Sequence, residues 1–273
     1  MKYTVIGGRG FIGSEIVKLL SATSYEVWVP QRNDERIFND DLGIVVYAAG
    51  CGDCEKKAFD VLESNTILLS RILKESKFEK IIYISSTRLY MESGSSYEDS
   101  DLLVMNKDSR RLFNLTKLVS EELCRKSKRE YIIVRPSNVY GLALKSPLFL
   151  PTIVRHAIEK GEVNMYISPD YAKDYVYVYV GDVANSILEL SRLDKYEPVY
   201  NIGSGHNVKA FDIAKILIEE TKCKVNWVWD SNTSDDTFPE TNIELLEKTF
   251  KYKPRNILTD LRKMVIEFKR YLQ

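Results

Sequence analysis

The sequence predicts an α/β fold, a doubly wound parallel sheet with a smaller C-terminal α/β domain, and three observations carry the prediction. The chain opens on a strand-like run, a glycine-punctuated turn and a segment of helical periodicity, MKYTVIGGRGFIGSEIVKLL. Short apolar runs then alternate with helical segments as far as RPSNVYG, residues 135–141, the pattern of parallel strands joined by crossover helices. From Leu142 to Asp170 the alternation is interrupted, which marks a second, smaller unit.

Each element follows in order. Lys2 to Ile6 form the first strand, and Gly7, Gly10 and Gly13 punctuate a turn into a helix from Phe11 to Leu20. Strand, glycine turn and helix in this order are what a dinucleotide-binding, Rossmann-type turn requires, because free backbone N–H groups and the positive helix end then face a pyrophosphate. The cofactor cradle is therefore Gly7, Arg9, Gly10, Phe11, Ile12 and Gly13. Tyr25 to Val29 make the second strand. No acidic residue stands at its tip; Pro30, Gln31, Arg32 and Asn33 follow instead. Arg9 and Arg32 suit a 2′-phosphate, since a guanidinium fork binds phosphate oxygens in pairs. The expected cofactor is NADP. Asp34 and Glu35 keep NAD as the alternative.

Residues 36–43 leave room for only a truncated strand. Ile44 to Ala48 form the next, and Ala48, Ala49 and Gly50 allow close approach of a cofactor. One helix is expected over about Glu55 to Glu75, with Asn65 either exposed or tying the helix to a loop. Lys80 to Ile84 form a strand ending in Ser85, Ser86 and Thr87, a hydroxyl cluster where open sheets bind ligands. A surface loop over 92–108 leads to an amphipathic helix from Ser109 to Lys126, which contains Lys117. Tyr131 to Val134 return to the sheet. Beyond lie a helix near Pro151 to Lys160, a strand around Val163 to Ile167 and a strand from Tyr175 to Val180. Helix 181–193, strand Val199 to Ile202, helix 208–221, strand Val225 to Trp229 and helices near 241–250 and 257–271 complete the chain.

Composition bounds the function. The 273 residues can bury one large core and a smaller lobe. Lys plus Arg and Asp plus Glu are 39 each, and this zero net charge argues against a broad nucleic-acid surface. No apolar run reaches membrane-spanning length, and the immediate first strand leaves no room for a signal peptide. A cytoplasmic location is expected. Cys51, Cys54, Cys124 and Cys223 suggest no disulfide framework. With only His156 and His206 beside a single C-x-x-C, no metal site is expected.

The segments VIGGRGFIG, ISSTRLY, the helix with Lys117, RPSNVYG, KDYVYVYVGDVA, YNIGSGHNV and YKP together resemble the extended short-chain dehydrogenase/reductases that act on nucleotide-activated sugars. The resemblance covers nearly the whole chain. It implies a Rossmann domain of residues 1–141, with 174–204 returning to it, and a nucleotide-sugar domain of 142–173 and 205–273. By the same likeness Ser86 is the catalytic hydroxyl, with Thr87 beside it, and Lys117 binds the nicotinamide ribose and depresses a neighbouring phenol. Pro136 and Ser137 present backbone groups to the nicotinamide. Ser86, Asn138, Ser146 and Lys173 face the substrate, Lys173 standing where relatives place a phosphate-binding arginine. A homodimer, paired through the helices near 55–75 and 109–126, is also implied.

One position departs. The family's tyrosine, four residues before the lysine, is Phe113, which has no proton to give; losing a general acid costs about 10²–10⁴-fold. Three accounts stand open: a tyrosine-to-phenylalanine change, favoured because the rest of the site is intact; another donor such as Ser86, Thr87, Tyr90 or water; or a chain that binds NADP without turnover. Thr87 and Arg88 stand where dehydratases of the family carry acids, and Arg88 replaces the cysteine of its epimerase-reductases. Hydride chemistry remains. The expectation is an NADP(H)-dependent reductase of a nucleoside-diphosphate 4-keto sugar in surface-polysaccharide synthesis. An NAD-dependent 4-epimerase or dehydrogenase is the alternative.

Overall fold

A computed structural model describes residues 1–144, 148–166, 177–228 and 239–272. Its centre is a six-stranded, wholly parallel sheet in the order β2-β1-β3-β4-β5-β6, made of β1 (Lys2–Ile6), β2 (Glu26–Trp28), β3 (Ile44–Tyr47), β4 (Lys80–Ile84), β5 (Tyr131–Pro136) and β6 (Val199–Ile202). The strands are apolar on both faces because both are covered. Tyr3, Val5, Ile44, Val46, Ile82 and Ile84 pack on one side with Ile16 and Leu20 of α1 (Phe11–Ser21) and Val183 and Ile187 of α2 (Val180–Ser191). Ile6, Val45, Tyr47, Ile81 and Tyr83 point the other way, onto Leu69, Ile72 and Cys124. Successive side chains of a strand alternate between faces, so each run feeds two cores. The chain runs from β1 outward to β2 and then back to β3 on the other side of β1. That reversal opens a crevice at the carboxyl ends of β1 and β3.

Several expectations are corrected. Residues 36–43 carry no strand: Arg36–Asn39 is a single helical turn. The helix expected from Glu55 to Glu75 begins at Ala58 and is broken by a wide, π-type turn over Glu63–Ile67, before α3 (Leu68–Glu75). Such a turn loosens backbone pairing, and side chains compensate: the Tyr47 hydroxyl donates to the Ser64 carbonyl at 2.6 Å, and Ser120 Oγ to that of Asn65 at 2.7 Å. In RPSNVYG, read as a turn-rich exit, Asn138–Tyr140 is a short strand paired in parallel with Tyr177–Tyr179.

A second core gathers Leu150, Val154, Val163, Met165, Ile213, Leu217, Leu261 and Phe268. It joins the helices Phe149–Glu159, Ala210–Thr221 and Ile257–Leu272 to the parallel pair Glu162–Met165 and Lys224–Trp227. Residues 243–252, assigned from sequence to this smaller domain, pack elsewhere. Ile243, Leu246 and Tyr252 lie in the core of the large sheet, and the Tyr252 hydroxyl donates to the Gly203 carbonyl at 2.8 Å. No described helix is long and apolar enough to cross a membrane.

Candidate active site

The glycine turn sits at the reversal point. Gly7 has a φ of +81°, and a Cβ there would lie 2.5 Å from the Ala49 nitrogen, so β1 and the exit of β3 meet only because the position is glycine. At Gly13 a Cβ would lie 2.3 Å from the Gly7 carbonyl oxygen, which fixes how closely α1 approaches the strand. The helix starts at Phe11 with Gly10 ahead of it and no side chain capping its first turn. First-turn N–H groups left this way favour an anion. The turn therefore presents the backbone of Phe11, Ile12 and Gly13, the Gly10 N–H being engaged by the Gly7 carbonyl at 2.9 Å, with Ala48, Ala49 and Gly50 across the crevice.

A cavity of about 500 Å³ continues from the turn, lined by Arg9, Arg32, Asp34, Glu35, Ala49 and Gly50 among others. Arg9 Nη1 donates to the Pro30 carbonyl at 2.9 Å and so stands against the end of β2. Arg32 lines the same cavity and pairs with Asp60 at 3.3 Å. Asp34 is held by Arg36 through contacts of 2.9 and 2.7 Å, which keep its carboxyl below the usual carboxylate range. The cradle and this cavity fit a nicotinamide dinucleotide, with arginines where the adenosine end would lie.

The other end of the crevice is built on α4 (Arg111–Lys126) and the exit of β4. Lys117 is buried, and its Nζ donates to the Ile84 carbonyl at 2.8 Å, two residues before Ser86. Burial lowers its pKa to about 8 against the opposing pull of Glu121. Ser86 is half-buried and caps the 3-10 turn Thr87–Tyr90, its Oγ accepting from the Arg88 N–H at 3.1 Å. Phe113 lies on the same side of α4, with Lys117 Nζ 5.7 Å from its ring centroid. A Cβ on Gly50 would meet Lys117 Nζ at 3.6 Å, so the loop after β3 closes over this lysine. Pro136 ends β5, and Ser137 Oγ is buried with no hydrogen-bond partner among the described residues, while its N–H donates to the Ile202 carbonyl. Asn138 is exposed at the start of its short strand. Ser146 and Lys173 lie outside the described residues.

Tyr90, weighed as a substitute proton donor, is excluded by its surroundings. Its hydroxyl bonds Arg135 Nη1 at 2.5 Å and Asn201 Oδ1 at 2.9 Å, and burial pushes its pKa up to about 12. Arg135 in turn forks onto Glu121 at 2.9 and 2.6 Å, and Glu121 accepts from Ser85 Oγ at 2.6 Å. This buried pair ties together α4, β4 and β5, the three elements that carry Lys117, Ser86 and Pro136.

A family model described as the NAD dependent epimerase/dehydratase family matches residues 3–203. The chain belongs to this family. It is thus an enzyme of the extended short-chain dehydrogenase/reductase class, built for a nicotinamide cofactor. Among similar proteins, a putative UDP-glucose 4-epimerase from Methanocaldococcus jannaschii is 25% identical, over 86% of this chain and 87% of its own length. The fold also matches a tyrosine-to-phenylalanine mutant of a UDP-glucuronic acid 4-epimerase from Bacillus cereus, in complex with UDP-4-deoxy-4-fluoro-glucuronic acid and NAD. That match has a TM-score of 0.84 at 19% identity and covers 99% of this chain and 100% of the other. RMD from Pseudomonas aeruginosa, complexed with NADPH, matches at a TM-score of 0.80 and 19% identity, covering 99% and 100% of the two chains.

Of the two roles open to Asn65, the structure takes the second, tying the helix to a loop: fully buried, its amide donates to the Cys51 carbonyl at 3.1 Å and to Thr116 Oγ1 at 3.0 Å, and its Oδ1 accepts from the Cys51 N–H at 3.0 Å. It binds the loop after β3 to α4. The Glu121–Arg135 pair was missed because its partners are far apart in sequence. Arg110, one turn before Phe113, carries no sequence signal of its own within the helix expected from Ser109; its guanidinium lies 4.6 Å from the Phe113 ring centroid.

Proposed function

We propose that this chain is an NADP(H)-dependent reductase of a nucleoside-diphosphate 4-keto sugar, serving surface-polysaccharide synthesis. The observation that carries the reading is the arginine pair past the end of β2: Arg9 fixed on the Pro30 carbonyl, and Arg32 lining the same cavity. An extra phosphate on the adenosine ribose suits that pair, and Asp34, engaged by Arg36, is poorly placed to compete for ribose hydroxyls. When bound, the nicotinamide supplies or accepts the hydride. Lys117 would hold the ribose through its ammonium group, and Ser86 would hydrogen-bond the sugar oxygen that gains negative charge. Phe113 gives that oxygen no proton, so the proton comes from the Ser86 hydroxyl or from water. Ser137, whose buried hydroxyl has no partner among the described residues, and Pro136 would border the nicotinamide, and Asn138 the sugar or diphosphate.

Titrating the protein with NADPH and NADH tests the cofactor assignment. NADPH is expected to bind more tightly, and Arg9→Ala to weaken it by about 10- to 100-fold, in line with a lost charge-assisted bond, leaving NADH unaffected. A panel of 4-keto nucleotide sugars with NADPH, followed by absorbance, tests the reaction. Preference for NADH would favour an NAD-dependent 4-epimerase or dehydrogenase, a reading that Glu35 and Asp34 in the cavity wall support.

We also propose a homodimer. α4 is inverted relative to an ordinary amphipathic helix: Asn114, Thr116, Lys117, Ser120 and Glu121 are buried, while Leu115 and Val119 are exposed. Beside them Phe59 is 90% exposed, with Leu62 and Ile67 also open. A contiguous apolar face of this kind marks an interaction surface. Light scattering should give twice the chain mass, and Val119→Glu should return it to one.

A further inference from the structure

Arg110 and Lys117 both lie against the Phe113 ring, and Arg88 is close enough to act on Arg110 through its charge. Arg88 Nη2 pairs with Asp108 at 2.8 Å. Lys117 has Glu121 one turn further along α4, acting to keep it charged. Asp108 acts on Arg110 through its charge but is engaged elsewhere: its Oδ1 also accepts the Arg110 backbone N–H at 2.8 Å, and its Oδ2 accepts from Asn114 at 2.7 Å. Among the described residues, no carboxylate forms an ion pair with the Arg110 guanidinium, and its Nε is buried without a hydrogen-bond partner. The group is half-buried, stacked on Phe113, with Nη2 against Gly52, where a Cβ would lie 3.1 Å away. Glycine there leaves the loop room to approach it. A guanidinium withdrawn from water without a counter-charge is costly to keep. Burial first, and then the charge of Arg88, weaken its hold on its proton, with Cys54 and Asp108 acting the other way.

We propose that Arg110 receives a carboxylate on the sugar, so that the chain selects acidic nucleotide sugars, of the uronate kind, over neutral ones. The inference rests on the nucleotide-sugar reading above and deepens it. Arg110 stands beside Phe113 and Lys117, at the reacting end of the crevice, whereas a diphosphate lies a sugar ring away from the reacting carbon. A planar fork of N–H donors matches a planar carboxylate in a way that an ammonium group does not.

Calorimetry on the full chain, saturated with NADP, tests this with matched pairs: UDP-glucuronate against UDP-glucose, and GDP-mannuronate against GDP-mannose. On the nucleotide that binds, the uronate should be tighter by about 10-fold or more, as a charge-assisted fork contributes. Arg110→Gln should abolish that preference and leave NADP affinity and the neutral sugar unchanged. Should Arg110→Gln lose NADP binding, and with it the fold, Arg110→Lys decides, keeping the charge but losing most of the preference. Equal binding of both members of a pair, or a preference untouched by substitution, overturns the assignment to Arg110 and leaves the nucleotide-sugar reading standing. NADP binding with no nucleotide sugar bound at all sinks that broader reading as well.

Discussion

The two ends of the crevice recognise by different means. At the glycine turn, binding is offered by backbone: N–H groups, a helix end and the absence of side chains at Gly7 and Gly13. At the Phe113 end it would be offered by side chains: Ser86 past the end of β4, and Lys117 and Arg110 on α4 and its N-cap, held by the buried Glu121–Arg135 pair behind them. Backbone recognition leaves almost no freedom to vary, because any added atom meets main chain. Side-chain recognition can exchange one group for another on an unchanged frame. The turn accordingly keeps every residue its geometry demands, and the departure from the family falls at the other end, with Phe113 for a phenol.

The sharpest way to break this contrast is to restore the phenol. Phe113→Tyr should raise turnover with NADPH and a 4-keto nucleotide sugar by about 10²–10⁴-fold, with cofactor affinity nearly unchanged. Flat absorbance in both forms, with NADPH still bound, would show that the frame around position 113 has lost more than one hydroxyl. At the turn the expected effect is smaller in rate but wider in reach. Gly13→Ala forces an atom to within 2.3 Å of the Gly7 oxygen, so α1 must shift. A stability loss of about 1–3 kcal/mol, seen as a lower melting temperature, should accompany weakened cofactor binding. Unaltered melting would mean that the helix yields more easily than close packing allows.

The smallest effect concerns pH. Lys117 titrates near pH 8 in the folded chain, below the ordinary lysine value near 10.4. Between these values the unfolded chain binds more protons than the folded one, so stability rises with pH across that window. Relative to Lys117→Met, the wild type should therefore gain stability between about pH 8 and pH 10.4, and lose ribose-binding charge above pH 8. Parallel melting curves for the two proteins over that range would contradict the burial of this ammonium group.

Much of the fold was legible because strands covered on both faces and helices at regular spacing write their burial into hydrophobic periodicity. Gly7, Gly10 and Gly13 announced the cofactor turn through sterics alone. What escaped depends on partners distant along the chain. The π-type turn at Glu63–Ile67 leaves no local mark, because Tyr47 and Ser120 complete it from other elements. Leu112, Leu115, Leu118 and Val119 gave α4 a helical stripe, yet no periodicity reveals that Leu115 and Val119 face outward while its polar side enters the site. Tyr90 looked available until its hydroxyl was found between Arg135 and Asn201.

Asn65 gives the π-type turn a wider meaning. One carboxamide spans the loop that borders the cofactor crevice and the helix whose far side carries the open leucine and valine stripe. In the homodimer proposed above, pressure on that outer stripe would reach the loop through this buried amide and the hydroxyls of Thr66 and Ser120 beside it. Grip on the dinucleotide and the association of two chains would then be coupled quantities, and each should vary with protein concentration when the other does.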